Sequence, residues 1–133
     1  MIDIESEVMT LIYNAVTPSY PTAKFESTLN LSPSEFPCVC VEEIDNTTRQ
    51  SSIDSGSNER HANLAYEINI YTNDTSGKKA AAKAIQSLID STLVAHGFAR
   101  TTYNPISLDN GTKYRLLVRY EGAVSTNKTI YRR

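Results

Sequence analysis

No stretch of this sequence approaches the about 20 consecutive apolar residues that a bilayer-spanning helix needs, so no membrane-spanning helix is expected within it. A basic start and an apolar block, the marks of a secretory leader, are missing too. The first eight residues carry Asp3, Glu5 and Glu7 instead, and the expectation is a protein made in the cytosol. Excess positive charge is also lacking: 13 Lys and Arg stand against 15 Asp and Glu, a formal net charge of -2. Binding through nucleic-acid phosphates runs on the opposite balance, so general DNA or RNA binding is disfavoured. Cysteine is scarce. Cys38 and Cys40 are too few for a disulfide framework.

What is present is ordinary for a globular chain. At 133 residues, 40% hydrophobic and 21% charged, the composition disfavours wholesale disorder. The length suits one domain, expected to span residues 1–133, with a core that needs no staples.

Ile4, Val8, Leu11, Ile12, Ala15 and Val16 recur at helical spacing. They predict an amphipathic helix over residues 3–16, capped by Asp3 and stopped by Thr17-Pro18. Residues 19–37 hold Pro21, Pro33 and Pro37 among polar residues and read as a connector, with at most a short extended piece near 23–29. Residues 36–44 are the first clear strand, apolar on both faces and therefore expected to be covered on both sides, by helices and by a neighbouring subunit. Residues 45–60 are polar and aperiodic, with Ile53 their single large apolar residue. A loop that long is functional or disordered in most domains, so it is expected to be a mobile hairpin excursion.

Residues 61–72 alternate in the manner of a strand with one buried face. A second helix is predicted over residues 78–96, with Thr75 or Ser76 as its cap and Gly97 as its left-handed stop. Residues 98–106 form a third strand ended by Asn104-Pro105, and Asp109-Asn110-Gly111 is a turn signal. Residues 113–124 form the fourth strand, with Gly122 marking a bulge or bend. Residues 129–131 can add a short edge strand. The fold class is α+β: a mostly antiparallel sheet of four to five strands, two amphipathic helices on one face, and a long polar loop between the first two strands.

Few residues suggest chemistry. Cys38 and Cys40 share a strand face but lack Cys-x-x-Cys spacing and a second ligand pair, so they are read as buried, inert thiols. A thiol enzyme would need one of them beside His61 or His96. Shielded strand cysteines hold their protons more tightly, and His96 suits a helix end. Residues 54–57 lack the glycine spacing and lysine of a phosphate loop. Glu42 and Glu43 point to opposite faces, so they form no dyad and are read as solvated edge charges. Lys78, Lys79 and Lys83 oppose the dipole of the second helix; a solvated face is favoured over an ion pair with an acidic neighbour. Arg115 and Arg119 flank Leu117 on the strand face opposite Tyr114, Leu116, Val118 and Tyr120. Arginine around an apolar centre is an interface composition, the alternative being a plain exposed sheet face.

Phe36-Pro37-Cys38-Val39-Cys40-Val41-Glu42-Glu43, then Tyr66 to Asn73 before a lysine-rich helix, Gly97-Phe98-Ala99-Arg100, Tyr114 to Glu121, and Ile130 to Arg133 follow one another in order. Together they resemble the tail-terminator and tail-completion (minor capsid, neck) proteins of long-tailed bacteriophages, as found in phages of Gram-positive hosts. The resemblance implies copies that close into a ring, commonly a hexamer, at the head-proximal end of the tail tube. The ring ends tube growth and meets the head-tail connector, and DNA passes through its lumen without specific binding. It also implies no enzyme, cofactor or catalytic residue, no membrane partner, and a place in the virion after assembly in the host cytoplasm. In related rings the long loop touches the tube or lumen, which assigns contacts to Arg49, Gln50, Ile53 and Arg60 alongside Arg115, Leu117 and Arg119. A head-completion or adaptor protein of the neck is the alternative. The major tail tube protein is the expected partner of the terminator.

Overall fold

The computed structural model describes residues 1–48, 61–108, 111–125 and 130–131. In chain order the elements are α1 (Glu5–Val16), β1 (Lys24–Glu26), β2 (Cys38–Thr48), β3 (His61–Thr72), α2 (Lys78–Ala95), β4 (Ala99–Leu108), β5 (Lys113–Ser125) and β6 (Ile130–Tyr131). The class is α+β.

In α1, Val8, Ile12 and Val16 are buried at a spacing of four, the stripe that a 3.6-residue period places on one face. The Asp3 carboxylate accepts the Glu5 N–H at 3.0 Å, satisfying one of the free amides of the first turn. In α2, Ala82, Ile85, Gln86, Ile89 and Leu93 face inward. The expected Thr75 or Ser76 cap is replaced by Gly77, which holds a left-handed φ of 86° and offers no side chain. The C-terminus follows the sequence signal. Gly97 takes a φ of 99°, the Phe98 N–H reaches the Leu93 carbonyl at 3.0 Å, and the Gly97 N–H reaches that of Val94 at 3.1 Å. These two bonds close a Schellman motif, with Phe98 turned back into the core.

The strands lie in the order β1-β2-β3-β5-β4, and β6 pairs with β5. β3 occupies one side of β5 from Tyr114 to Ser125, so β6, opposite Ala123 and Val124, takes the side that β4 leaves free beyond Glu121. The sheet is mixed rather than mostly antiparallel: β1 runs parallel to β2, with Glu26 opposite Cys40. The reason lies in the connector. Residues 27–37 carry the chain back to the start of β2, as a parallel pairing requires; β1 is the short extended piece expected near 23–29, and its parallel partner is what the sequence did not show.

Three further expectations are corrected. β2 runs on to Thr48, so Asp45–Thr48 belong to a strand and not to the loop, beyond a bulge between Glu43 and Asp45. β4 continues through Pro105 to Leu108. Proline lacks a ladder donor, yet an edge strand tolerates it with the N side facing away from its neighbour. Gly122 makes no bulge: its register opposite Leu64 is continuous. A Cβ there would sit 2.8 Å from Cδ1 of Phe98, so the ring requires the glycine.

Both helices cover one face. Val39, Val41, Tyr66, Ile68, Ile70, Leu116, Val118 and Tyr120 from the sheet meet Val8, Ile12, Ile85, Ile89 and Leu93 in one core. A polar chain crosses it. Gln86 Nε2 donates to the Tyr120 hydroxyl at 2.6 Å, which donates to Asp90 Oδ1 at 2.6 Å, and Arg100 pairs with the same oxygen at 3.3 Å. Burial, with the Asp90 hydrogen bond, pushes the Tyr120 hydroxyl pKa well above its ordinary value.

Candidate functional site

The helix-free face of the sheet is the place to look. Strand alternation turns Glu67, Asn69 and Tyr71 of β3 outward beside Arg119, Leu117 and Arg115 of β5, their direct cross-strand partners. Arg119 Nε donates to Glu67 Oε2 at 2.9 Å, and Asn69 Nδ2 donates to Glu67 Oε1 at 3.1 Å. Arg115 Nε donates to Asn69 Oδ1 at 2.8 Å, and its guanidinium carbon lies 5.7 Å from the centroid of the Tyr71 ring. Two guanidinium groups thus stand in fixed positions on either side of a half-buried Leu117. The predicted trio Arg115, Leu117 and Arg119 is brought together. Glu67, Asn69 and Tyr71 hold it in place; they were missed because cross-strand register is not visible in a single strand's pattern. Arg49, Gln50, Ile53 and Arg60 lie outside the described residues.

The outer side of β2 is covered by its own chain. Cys38, Cys40 and Tyr71 form a second buried cluster, with Phe36 packed on it. The neighbouring subunit expected over this strand is therefore unnecessary to bury it. Cys38 Sγ lies 3.3 Å from Glu26 Oε2 and 4.0 Å from Cys40 Sγ. The hydrogen bond to Cys40, then burial, holds the Cys38 thiol protonated far above the usual thiol range. The same bond favours Cys40 as the first of the pair to ionise. Cys38 and Cys40 pair with Tyr71 and Asn69 near one end of β3. His61 begins the opposite end, roughly 25–30 Å away at a strand's rise per residue. His96 caps α2, with its Nδ1 2.7 Å from the Thr92 carbonyl, and lines a cleft of about 420 Å³ with α1 on the helical side. The cysteines and both histidine positions are thus kept apart.

Glu42 and Glu43 do point to opposite faces, but neither is a freely solvated edge charge. Glu42 Oε2 accepts the Leu29 N–H at 2.9 Å, anchoring the connector. Glu43 Oε1 accepts the Tyr66 hydroxyl at 3.2 Å. Burial pushes the Glu43 carboxyl above its usual value, outweighing the Tyr66 bond that lowers it. A carboxyl raised in the folded state binds more protons there than in the unfolded chain, so its contribution to stability falls as pH rises through the window above the ordinary carboxylate value. Glu43→Gln keeps an acceptor for Tyr66. It should raise the melting temperature at pH 7 and lose that advantage near pH 4, a trend that calorimetry across the range checks.

Lys78 and Lys79, at the uncapped start of α2, border a shallow cleft with Gly77, Pro105, Gly111 and Tyr114. Among the described residues no helix is long and apolar enough to cross a membrane.

No protein-family model matches the sequence, and no curated protein matches it. Among solved structures, the fold is similar to a chain in the virion of a native gene transfer agent particle. The two are 14% identical with a TM-score of 0.59, over 88% of this chain and 93% of that one. At that identity the likeness is one of fold, and it extends over nearly the whole of both chains.

Proposed function

We propose that this chain is a structural virion protein: copies form a ring at the head-proximal end of a phage tail tube, end tube polymerisation and join the tail to the head-tail connector. The fold likeness to a chain of a gene transfer agent virion supports a virion role. The observation that carries the contact surface is the fixed Arg115–Leu117–Arg119 face. Its guanidinium groups are already held by Asn69 and Glu67, so docking costs little further side-chain entropy. A ring joins copies head to tail through two unlike surfaces. The outer face of β3 and β5 supplies one, and a sheet edge of the next copy the other. The edge of β2 beyond Cys40 suits that role, since among the described residues β1 pairs only with its first three. The role calls on no catalytic residue and no membrane. The proposal keeps residues 1–133 as a single domain and assigns contact with the tube or lumen to the segment after β2, residues 49–60.

Leu117→Glu and Arg119→Glu should each weaken self-association at least about tenfold. Because Arg119→Glu sets two carboxylates opposite each other on neighbouring strands, Arg119→Gln is the companion variant: it removes the cation without adding that repulsion and should leave the monomer folded. Sedimentation at several concentrations reads the first effect and chemical denaturation the second. Wild-type assembly by both variants sinks this contact surface. Removing the gene distinguishes the role: overlong tails mark a terminator, whereas tailless, leaking heads mark a head-completion protein of the neck.

A further inference from the structure

The parallel pairing of β1 with β2 places Glu26 opposite Cys40 and beside Cys38. The Glu26 carboxylate, Cys38 Sγ and Cys40 Sγ all lie within 4.8 Å of one another. The separations are 4.0 Å between the sulfurs, and 3.3 Å and 3.9 Å from Glu26 Oε2 to Cys38 and Cys40. Tetrahedral zinc, with Zn–S near 2.3 Å and Zn–O near 2.1 Å, sets its ligands about 3.8 Å apart for two sulfurs and about 3.6 Å for sulfur and oxygen. The three donors therefore already trace one face of a tetrahedron of the right size. Both cysteines are fully buried and Glu26 is half-buried. A cleft of about 310 Å³ lined by Lys24, Asn30, Pro33 and Ser34 reaches Glu26 and Cys38 from solvent.

We propose that Glu26, Cys38 and Cys40 bind a soft divalent metal ion, zinc above all. Two thiolates and one carboxylate select zinc over magnesium or calcium, which take all-oxygen sets. Binding releases the two S–H protons to solvent and leaves two thiolates and a carboxylate around a doubly charged ion, a net charge of -1 at the centre. The fourth tetrahedral position goes to water, while Asn30 Nδ2, which donates to Glu26 Oε2 at 3.1 Å, steadies the carboxylate from outside. The ion would tie β1 to β2 and fasten the connector over the sheet. Ring formation is not required for it.

The test is a titration of the reduced, metal-free full chain with Co²⁺ alone, followed by Zn²⁺. Thiolate-to-cobalt charge-transfer absorption should saturate at a single ion per chain, vanish when zinc displaces cobalt, and be lost in Cys38→Ser and Cys40→Ser. Losing an outer-sphere partner of a metal ligand commonly costs about 10–100-fold in affinity, so Glu26→Gln, which removes a ligand, should weaken cobalt binding at least about tenfold. Saturating zinc should also raise the melting temperature, since it binds the folded state. Absence of the absorption from folded, fully reduced wild type overturns the proposal. So does unchanged affinity in Glu26→Gln, an arm that does not depend on the serine variants folding.

Discussion

Ile68→Ala should lower the stability of the fold by about 2–5 kcal/mol, the range for truncating a fully buried aliphatic side chain. Ile68 is 0% exposed and lies in β3, between Val41 of β2 and Val118 of β5 in the pairing register. All three side chains belong to the core shared with Ile85 and Ile89 of α2. Hydrogen-bonded neighbours on both sides prevent the strand from collapsing into the space left behind, which places the cost toward the upper end. Against a total of about 5–15 kcal/mol for an ordinary domain, that is a large share. Denaturant titration reads it directly. Leu117→Ala, on the half-buried outer face, is the control and should cost less than about 1.5 kcal/mol. A loss below about 1 kcal/mol for Ile68→Ala would mean that the helical layer does not pack against this part of the sheet.

Gly122→Ala should cost about 1–3 kcal/mol even though alanine is the better strand residue. Replacing glycine in a strand returns about 0.5–1 kcal/mol of backbone entropy, but the new methyl would lie 2.8 Å and 3.0 Å from two carbons of the Phe98 ring. The ring has little room to yield. Phe98 is 3% exposed and stands edge-on to Tyr66 with centroids 6.0 Å apart. Overpacking of this kind outweighs the entropy gain. If the clash is the cause, Phe98→Leu should relieve it, and the double-mutant cycle should show a coupling of about 0.5–3 kcal/mol. Strict additivity would trace the need for glycine to something other than the ring.

Phe98 and Gly122 also mark where sequence reasoning stops. The glycine was conspicuous within an alternating strand, but the partner that demands it lies 24 positions earlier, at the exit of α2. Patterns carried by consecutive residues were readable: the stripes of α1 and α2, the Gly97 stop, and the alternation of β3 and β5. Features set by distant pairings were not. β1 was readable only as a short extended piece near 23–29; its parallel register with β2 was not. Pro105 argued for an end to β4 because nothing in the local sequence shows that β4 is an edge. Arg115, Leu117 and Arg119 stand on one face of β5 as its alternation indicated, while the Asn69 and Glu67 that hold the two arginines belong to another strand. The same holds for Glu26, which joins the two cysteines from 12 and 14 positions away.

The chain of hydrogen bonds from Gln86 through Tyr120 and Asp90 to Arg100 has a mechanical consequence. Apolar layers in contact can slide, because dispersion has no direction; hydrogen bonds to a phenol at 2.6 Å cannot follow such a slide. Rotating α2 by one residue, or shifting it by one turn, would leave Gln86 and Tyr120 unpaired inside the core, where each such loss costs about 1–3 kcal/mol. α2 and the sheet are therefore keyed together at β5, and the two layers turn as one body.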